Sequence, residues 1–458
     1  MAWGKKLVVL GLDGVPYTLL NEAFTAGKLP NLQRLSEGGA LAPMRSVIPT
    51  ISSVAWTGFM TGQNPGKHGI FGFVDRNTQL ERSIPTSHDI QTPSLWERLN
   101  GLGARTIAMN VPLTYPPQPV DGVLIAGFLG FNIDKIAYPS SVATLLREKG
   151  YVIDPDPRLA HKDRAGFMDA IVQAFDARAD VARHLLEHEP WDFFMCHIME
   201  TDRLQHFFWP AQDDPHDPFH RDFWAVYEQV DAFVGEVAAS LPETAELVLL
   251  SDHGFCGIRA EPDVNAHLAR LGFTAFDSDA KDLSALHPSS IAYSLPPGRI
   301  YLNLQGREPQ GRVTPAEAER VKDDLTSVLD ELTDPDTGDP VIQRVYRREE
   351  LYDGPVAHRA ADLIAHPHRG YDLKASIRPA DVFTVGARNG MHTYRDAFLL
   401  IRDRAIVPSN ATSIVDVAPT SLALMGTPVP EDMDGRNLLE PSSAPASAAV
   451  EIDSGGAS

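Results

Sequence analysis

The chain has 458 residues, 43% of them hydrophobic, and a formal net charge of −21 at pH 7. This composition supports a large folded core, while the acidic balance argues against nucleic-acid polymers as partners, because these bind basic surfaces. A phosphorylated small molecule is still a compatible substrate, since bound metal ions can reverse the local sign of the charge. The two cysteines exclude a disulfide framework. The sequence contains no stretch with the roughly 18 apolar residues of a membrane span, and the short apolar run near its start does not match a secretory signal. We therefore expect a cytoplasmic protein whose oligomeric state the sequence leaves open.

Two apolar segments predict buried strands that end in acidic residues. Residues 7–12 lead directly into Asp13 and Gly14, and residues 245–250 are followed by Asp252 and His253. Such continuous apolar runs are typical of parallel strands covered on both faces, and open α/β sheets carry their chemistry at the carboxyl ends of these strands. Either ending could be a simple polar turn. Carboxylate and imidazole groups are, however, also a ligand mix that suits zinc.

The next segment predicts a helix with a hydroxyl group at its N-terminus. Pro49 ends an extended stretch, and Thr50, Ser52 and Ser53 are favourable N-cap residues for a helix that runs to about residue 61. A hydroxyl at a helix N-terminus lies in a field that favours an alkoxide and a bound phosphate. Capping alone would also explain these residues.

A third apolar strand is predicted over residues 191–199, and it precedes Asp202 and His206. If a helix begins there, the spacing of four residues places both side chains on one face, where they can reach one metal ion. Further along the chain, His392 lies in a glycine-containing loop before a strand predicted over residues 397–401.

The long segment between these strand ends, about residues 256–385, predicts an inserted lid. It is charged and punctuated by Gly and Pro, and it contains its own predicted strand over residues 299–304. Arg299 is a candidate substrate contact, because insertions over a site often carry specificity. Residues 115–164 are proline-rich and are predicted to be irregular. We thus predict one catalytic domain over residues 1–440, including the lid, and a disordered tail over residues 441–458.

The chemistry-bearing segments form an ordered set that resembles the alkaline phosphatase superfamily. The resemblance is nearest to the type I phosphodiesterase/nucleotide pyrophosphatase branch and to related predicted phosphohydrolases and phosphomutases, and it extends over most of residues 6–439. The set, rather than any one segment, is specific. It consists of Gly-Leu-Asp-Gly at 11–14, Pro-Thr-Ile-Ser at 49–52, His-Gly-Ile at 68–70, Asp202 with His206, Ser-Asp-His-Gly at 251–254 and His392.

The resemblance implies an α/β fold, an α/β/α sandwich around a mixed, largely parallel sheet, with two divalent metal ions at its active site. We expect Zn²⁺, and Mn²⁺ is also compatible with the Asp and His ligands. In the implied roles, Asp13, Asp252 and His253 hold one ion, which also binds the oxygen of Ser52, while Asp202, His206 and His392 hold the other.

Ser52 is the implied nucleophile, since it lies three residues after Pro49 as the family's Thr or Ser does. A free serine is barely ionised at neutral pH and needs metal coordination to become an alkoxide. Two ions about 3.5–4 Å apart would clamp the attacking and leaving oxygens of an in-line displacement. Nucleotide pyrophosphatases usually place an Asn shortly after the His-Gly-Ile segment. Phe73 stands there in this chain, and either Asn77 or Asn110 is a candidate substitute. We take Phe73, Asn110 and Arg299 as the candidate substrate contacts.

The function that these observations favour is metal-dependent hydrolysis of a phosphodiester or phosphoanhydride in a small phosphorylated molecule. Residues 50–61 contain no Lys or Arg to match the extra charge of a monoester, and Phe73 offers an apolar wall for the second substituent of a diester. The alternatives are a phosphomonoesterase, a phosphomutase or phosphotransferase of the same superfamily and, from another class, a non-catalytic phosphate-binding protein. A sulfatase is disfavoured, because Ser52 lacks the Pro and Arg that formylglycine conversion requires.

Overall fold

The computed structural model of the protein describes residues 5–128, 130, 132–277, 280–378, 381–406 and 412–439. Within these residues the strands are β1 (Lys6–Leu12), β2 (Ala40–Met44), β3 (Asp75–Arg76), β4 (Arg82–Ser83), β5 (Thr106–Met109), β6 (Gly122–Ile125), β7 (Ala137–Tyr138), β8 (Phe193–Ile198), β9 (Ala245–Leu250), β10 (Gly254–Gly257), β11 (Glu261–Pro262), β12 (Ala292–Leu295), β13 (Arg299–Leu302), β14 (Ile342–Arg347), β15 (Leu363–Pro367), β16 (Phe383–Thr384), β17 (Gly390–Thr393) and β18 (Ala397–Ile401). The α-helices are α1 (Tyr17–Thr25), α2 (Pro30–Gly38), α3 (Ser52–Thr61), α4 (Pro65–His68), α5 (Leu95–Gly101), α6 (Val142–Glu148), α7 (Arg164–His188), α8 (Glu200–Phe208), α9 (His220–Ser240), α10 (Val264–Arg270), α11 (Ala318–Asp330), α12 (Arg348–Leu351) and α13 (Val417–Leu424).

An eight-stranded sheet forms the centre of the fold, in the order β2-β18-β9-β1-β8-β5-β6-β7. The run from β9 to β6 is parallel throughout, whereas β2, β18 and β7 join antiparallel at the edges. The prediction of a mixed, largely parallel sheet is therefore confirmed. The central strands are predominantly apolar because both of their faces are covered.

Two layers of helices cover the sheet, and alternate residues of β1 pack against opposite layers. Val8 and Leu10 pack into one core with residues of α1, α2, α6, α7, α8 and α9. Leu7 and Val9 point to the other face and pack with residues of α3, α5 and α13. Since successive side chains of a strand alternate between faces, this pattern produces the predicted α/β/α sandwich.

A second sheet of four antiparallel strands, in the order β12-β13-β15-β14, lies in the inserted segment between β10 and β17. It has its own apolar core with α10 and α11. A further apolar cluster joins the insertion to the chain just before α3, where the Tyr352 hydroxyl donates to the carbonyl of Ile48 at 2.7 Å. The insertion is thus bonded to the segment that precedes Ser52.

Some local predictions were wrong. The proline-rich stretch predicted to be irregular contains β6, β7 and α6, because strands of two to four residues are too short to show a hydrophobic period. The predicted loop around His392 is strand β17, paired with β10. The predicted tail over residues 441–458 lies outside the described residues. Among the helices of the described segments, none has both the length and the apolarity to cross a membrane.

Gly11 in β1 has no side chain, and the buried ring of Trp56 occupies the space beside it. A Cβ atom at this position would lie 2.4 Å from the ring of Trp56, which is fully buried. Gly11→Ala should therefore lower the free energy of unfolding by about 1–3 kcal/mol through overpacking. Gly101→Ala is the matched control: Gly101 ends α5 with no atom within 4 Å of the added carbon, so stability should stay equal or rise by up to about 1 kcal/mol. Urea unfolding of both variants tests this, and equal stability of Gly11→Ala and wild type would contradict it.

Candidate metal centre and nucleophile

The predicted ligands meet at the carboxyl ends of three adjacent strands. Asp252 follows β9, Asp13 follows β1, and Asp202 and His206 lie in α8, which begins after β8. His392 joins them because β17 pairs with β10, directly beyond Asp252. Register and strand order alone thus bring these distant parts of the chain together.

The first group of ligand atoms surrounds His253. Its Nε2 lies 3.3 Å from Asp252 Oδ2, 3.5 Å from Asp13 Oδ1 and 3.1 Å from the hydroxyl oxygen of Ser52. Ligand atoms bound tetrahedrally to zinc at about 2.1 Å would lie roughly 3.4 Å apart. The spacing of this group therefore fits one metal ion with Ser52 within reach.

The second group consists of Asp202, His206 and His392. The Nε2 of His392 lies 3.2 Å from Asp202 Oδ1 and 3.0 Å from the Nε2 of His206. Both imidazoles direct Nδ1 at a backbone carbonyl, His206 at Gly390 (2.8 Å) and His392 at Thr50 (3.3 Å). With Nδ1 protonated, the two Nε2 lone pairs face each other, an arrangement that a shared cation between them stabilises.

Asp202 lies between the two groups. Its carboxylate is within 4.8 Å of the ligand atoms of Asp13 and His253 as well as of those of His206 and His392. The prediction from the sequence placed Asp202 in the second group only. The two candidate groups are therefore contiguous.

Two buried carboxylate oxygens in the first group accept no hydrogen bond, namely Asp13 Oδ1 and Asp252 Oδ2. The other oxygen of each carboxylate is occupied: Asp252 Oδ1 accepts from the backbone of Gly14 at 3.2 Å, and Asp13 Oδ2 accepts from Trp56 and His197. A buried oxygen without a donor is costly. Both lie beside the Nε2 of His253, so the residues present fit a cation at this point.

The charges of the ligands follow from burial and from their neighbours. Burial raises the pKa of Asp252 well above its ordinary value, and the charge of Asp13 adds to this. Burial alone would also raise the pKa of Asp13 and Asp202. The hydrogen bond from His197 holds the pKa of Asp13 below its ordinary value, and the interactions with His206, His392 and Arg203 hold that of Asp202 below it. Burial lowers the pKa of His206 to about 3 and that of His253 to about 4. At neutral pH these two imidazoles therefore have free lone pairs, and the raised pKa of Asp252 means that its carboxyl is harder to ionise than an ordinary one.

Three supporting contacts orient Asp13. The indole nitrogen of Trp56 donates to Asp13 Oδ2 at 3.1 Å, and His197 Nε2 donates to the same oxygen at 2.7 Å. Asn110 Nδ2 lies 3.3 Å from His197 Nδ1, which fixes the tautomer of the imidazole. Asn110 is fully buried, and its contact with substrate stays a prediction.

The sequence interpretation did not assign His197 a role. The available signal was a titratable residue within an apolar strand, opposite Gly11 of β1 in the register. A buried His in such a strand requires a polar partner, and Asp13 lies two residues beyond Gly11.

Ser52 begins α3, but the structure gives it no capping role. The N-cap residue is Ile51, and no side chain caps the helix. The hydroxyl of Thr50 instead donates to the carbonyl of Val47 at 3.0 Å, while that of Ser52 faces His253. Capping is therefore the wrong explanation for both hydroxyl groups.

The remaining predicted contacts lie at different places. The ring of Phe73 is 5.0 Å from that of Phe128, and the guanidinium of Arg203 lies 5.2 Å from the Phe128 ring. Arg203 also donates to Asp202 at 2.9 Å, which connects this aromatic pair to the second group. Arg299 is buried, and its guanidinium donates to the carbonyls of Val74 and Pro296 at 2.6 and 2.9 Å. Its contact with substrate stays a prediction.

Metal binding at the first group should tighten as the pH rises. Because the pKa of Asp252 is raised, its carboxyl keeps a proton to a higher pH than an ordinary carboxyl, and that proton must leave before Oδ2 can bind an ion. Zn²⁺ affinities measured over a series of pH values should therefore increase with pH for wild type. Asp252→Asn, which has no such proton to lose, should bind more weakly and with a flatter pH dependence. Wild-type affinity that stays constant or falls with pH would contradict the assignment.

Comparisons with known proteins identify the family and the fold of the chain. A family model described as type I phosphodiesterase/nucleotide pyrophosphatase matches residues 7–395. Phosphonoacetate hydrolase from Sinorhizobium meliloti 1021 has a similar structure, with a TM-score of 0.62 and 17% sequence identity over 92% of this chain and 95% of that one. Murine ectonucleotide pyrophosphatase/phosphodiesterase 5 gives a TM-score of 0.55 at 15% identity, over 95% of this chain and all of that one. The human protein gives 0.55 at 14% identity, over 94% and 97%.

The structural likenesses establish a shared fold, and the family match extends over most of the chain, from β1 to the loop after β17. The chain therefore belongs to the type I phosphodiesterase/nucleotide pyrophosphatase family of the alkaline phosphatase superfamily, and it is a phosphohydrolase of that type.

Proposed function

We propose that the protein hydrolyses phosphodiester or phosphoanhydride bonds of a small molecule with Ser52 as nucleophile and two divalent ions, Zn²⁺ in the first instance. The observation that carries this proposal is the position of the Ser52 hydroxyl. It lies 3.1 Å from His253 Nε2, beside the two buried carboxylate oxygens that have no other partner. No other role for that hydroxyl is evident, since it does not cap the helix.

In the proposed mechanism the ligands divide into two sets, Asp13, Asp252 and His253 for one ion and Asp202, His206 and His392 for the other. When bound, the ions would lower the pKa of the serine hydroxyl and stabilise charge on the leaving oxygen. Ser52 Oγ loses its proton and attacks phosphorus, the bond to the leaving oxygen breaks, the leaving oxygen takes up a proton, and a covalent intermediate forms in which phosphorus is bonded to Ser52 Oγ and still carries the second substituent. Water then loses a proton and attacks this phosphorus, the bond to Ser52 Oγ breaks, Oγ takes up a proton, and the phosphomonoester product is released. The N-terminus of α3 favours negative charge at Ser52 in both steps.

Three cations that could match the charge of a monoester, Lys67, Arg76 and Arg299, are engaged elsewhere, which supports a diester or anhydride substrate. Lys67 pairs with Asp434, and Arg76 pairs with Glu308 at 3.0 Å. Arg299 is bound to backbone carbonyls. A monoester carries an additional negative charge that a site of this superfamily must match, and these side chains are not placed to match it.

The aromatic pair of Phe73 and Phe128 supports the same substrate class. It lies next to Arg203, which contacts the second ligand group, where the leaving oxygen would be bound. An apolar or aromatic substituent of a diester can pack against such a wall. Trp56 does not contribute to this wall, because it is fully buried and donates to Asp13.

A phosphomonoesterase or phosphotransferase is the second candidate, and Arg203 is the observation that favours it. This residue places a cation 2.9 Å from a ligand of the second group. Two carboxylates, Asp154 and Asp202, already surround the guanidinium, which is why we rank this candidate below the diesterase.

Ser52→Ala should abolish nearly all turnover while fold and metal content stay as in wild type. Loss of a nucleophile costs roughly 10³-fold or more in rate, whereas Ser52 makes no capping bond whose loss would destabilise α3. Turnover of bis-nitrophenyl phosphate by the metal-loaded protein measures this, and removal of the metals by a chelator should have the same effect. Thr50→Ala is the matched control, since it removes a neighbouring hydroxyl that binds Val47. A severe Thr50→Ala defect with a mild Ser52→Ala defect would assign the nucleophile to Thr50.

The ratio of kcat/KM for bis-nitrophenyl phosphate to that for nitrophenyl phosphate should exceed one. The expected reason is the apolar wall, so Phe73→Ala should reduce the ratio mainly by impairing the diester. A truncated aromatic contact commonly costs about 1 kcal/mol, or roughly fivefold. A clear preference of wild type for the monoester would overturn the substrate class and favour the second candidate.

A further inference from the structure

We propose that Arg203 and Asp154 are positioning residues that fix the orientation of the ligand Asp202, an inference that rests on the proposed two-ion function. Arg203 bridges two carboxylates. Its Nε and Nη2 donate to the two oxygens of Asp154 at 2.8 and 2.9 Å, and its Nη1 donates to Asp202 Oδ2 at 2.9 Å. All three side chains are largely buried, with 14%, 18% and 5% of the Arg203, Asp154 and Asp202 side chains exposed.

The hydrogen bond from Arg203 gives the two carboxylate oxygens of Asp202 different roles. Oδ2 is held by the guanidinium, which leaves Oδ1 to face His392 at 3.2 Å and His206 at 3.4 Å. A carboxylate held in this way presents one oxygen to an ion and cannot rotate to present both. The planar fork of an arginine suits two carboxylates at once, which a lysine cannot reproduce.

Asp154 can act as a fixed anchor because the loop that carries it is bonded to α8. Arg178 donates to the carbonyls of Val152 and Ile153 at 3.2 Å. The same guanidinium donates to both carboxylate oxygens of Glu200, the first residue of α8, with a shortest distance of 2.7 Å. Arg178 and Glu200 are almost completely buried. A buried ion pair is a weak source of net stability, but it holds the loop and the helix that carries Asp202 in a defined relation.

The test compares three variants with one matched control. Arg203→Met removes the bridge, Arg203→Lys keeps the charge without the fork, and Asp154→Asn removes the anchor charge. The control is Arg158→Met, because Arg158 makes the same kind of two-point contact with Asp156 at 2.8 and 2.9 Å but is 85% exposed and bonds to Asp156 rather than to a candidate metal ligand. Zn²⁺ affinities are measured by competition with a chromophoric chelator, and His392→Ala identifies which of the two affinities belongs to the second group.

Arg203→Met should weaken binding of the second ion about 10–100-fold, as loss of a residue that orients a ligand commonly does. The first ion should bind as in wild type, Asp154→Asn should act in the same direction to a smaller extent, and Arg203→Lys should restore only part of the affinity. In the His392→Ala background, Arg203→Met should leave the affinity of the remaining ion unchanged. Arg158→Met should match wild type throughout.

The readout separates this proposal from the one on which it rests. A wild-type chain that binds two ions, with both affinities unchanged or equally weakened in Arg203→Met, would overturn the positioning role and leave the proposed function intact. A wild-type chain that binds fewer than two ions would overturn both. Thermal unfolding of the metal-free variants shows whether each is folded, and Arg203→Lys provides the result if Arg203→Met is not.

Discussion

The burial of three carboxylates and three imidazoles against one another is the constraint on which the rest of the structure depends. Removing ionised groups from water costs several kcal/mol for each, and like charges at close range add to that cost. This cost is seen in the pKa of Asp252, which burial and the charge of Asp13 raise, and in the buried oxygen of each of these two carboxyl groups that accepts no hydrogen bond. A cation at this position changes the repulsion into attraction, so metal binding and native stability would be coupled. In the absence of a bound cation, the central sheet must hold these side chains in place.

Much of this arrangement could be predicted from the sequence because parallel strands impose it. The apolar runs before Asp13, Asp202 and Asp252 indicate central strands, and strands of one parallel sheet end at the same edge. The spacing of Asp202 and His206 indicates one helical face, and α8 confirms it. These inferences require only the local pattern of apolar residues and the direction of the chain, both of which can be read from the sequence.

The unpredicted parts depend on long-range packing. The sequence gives no means of knowing that His197 faces Asp13 rather than the core, or that Trp56 donates to the same carboxylate. Asn110 was selected for its chemistry, yet its amide lies on His197 because of the pairing between β5 and β8. The edge strands β6 and β7 were missed because they are too short to have a recognisable period. In each case side-chain direction or partner choice, rather than residue type, decides the outcome.

The pairing of β10 with β17 has a consequence for how this domain can diversify. Gly254 lies opposite Thr393 and Gly257 opposite Gly390, so the inserted segment leaves and re-enters the catalytic body through one short hairpin-like stem. The His253 and His392 rings, which flank this stem, stack at 3.6 Å. Because the entropy of closing a loop grows only slowly with its length, by about 0.6 kcal/mol for each doubling, a stem of this kind tolerates segments of very different size. The geometry of the candidate ligands, which the central sheet and this stem set, is thereby independent of the length of the segment between β10 and β17.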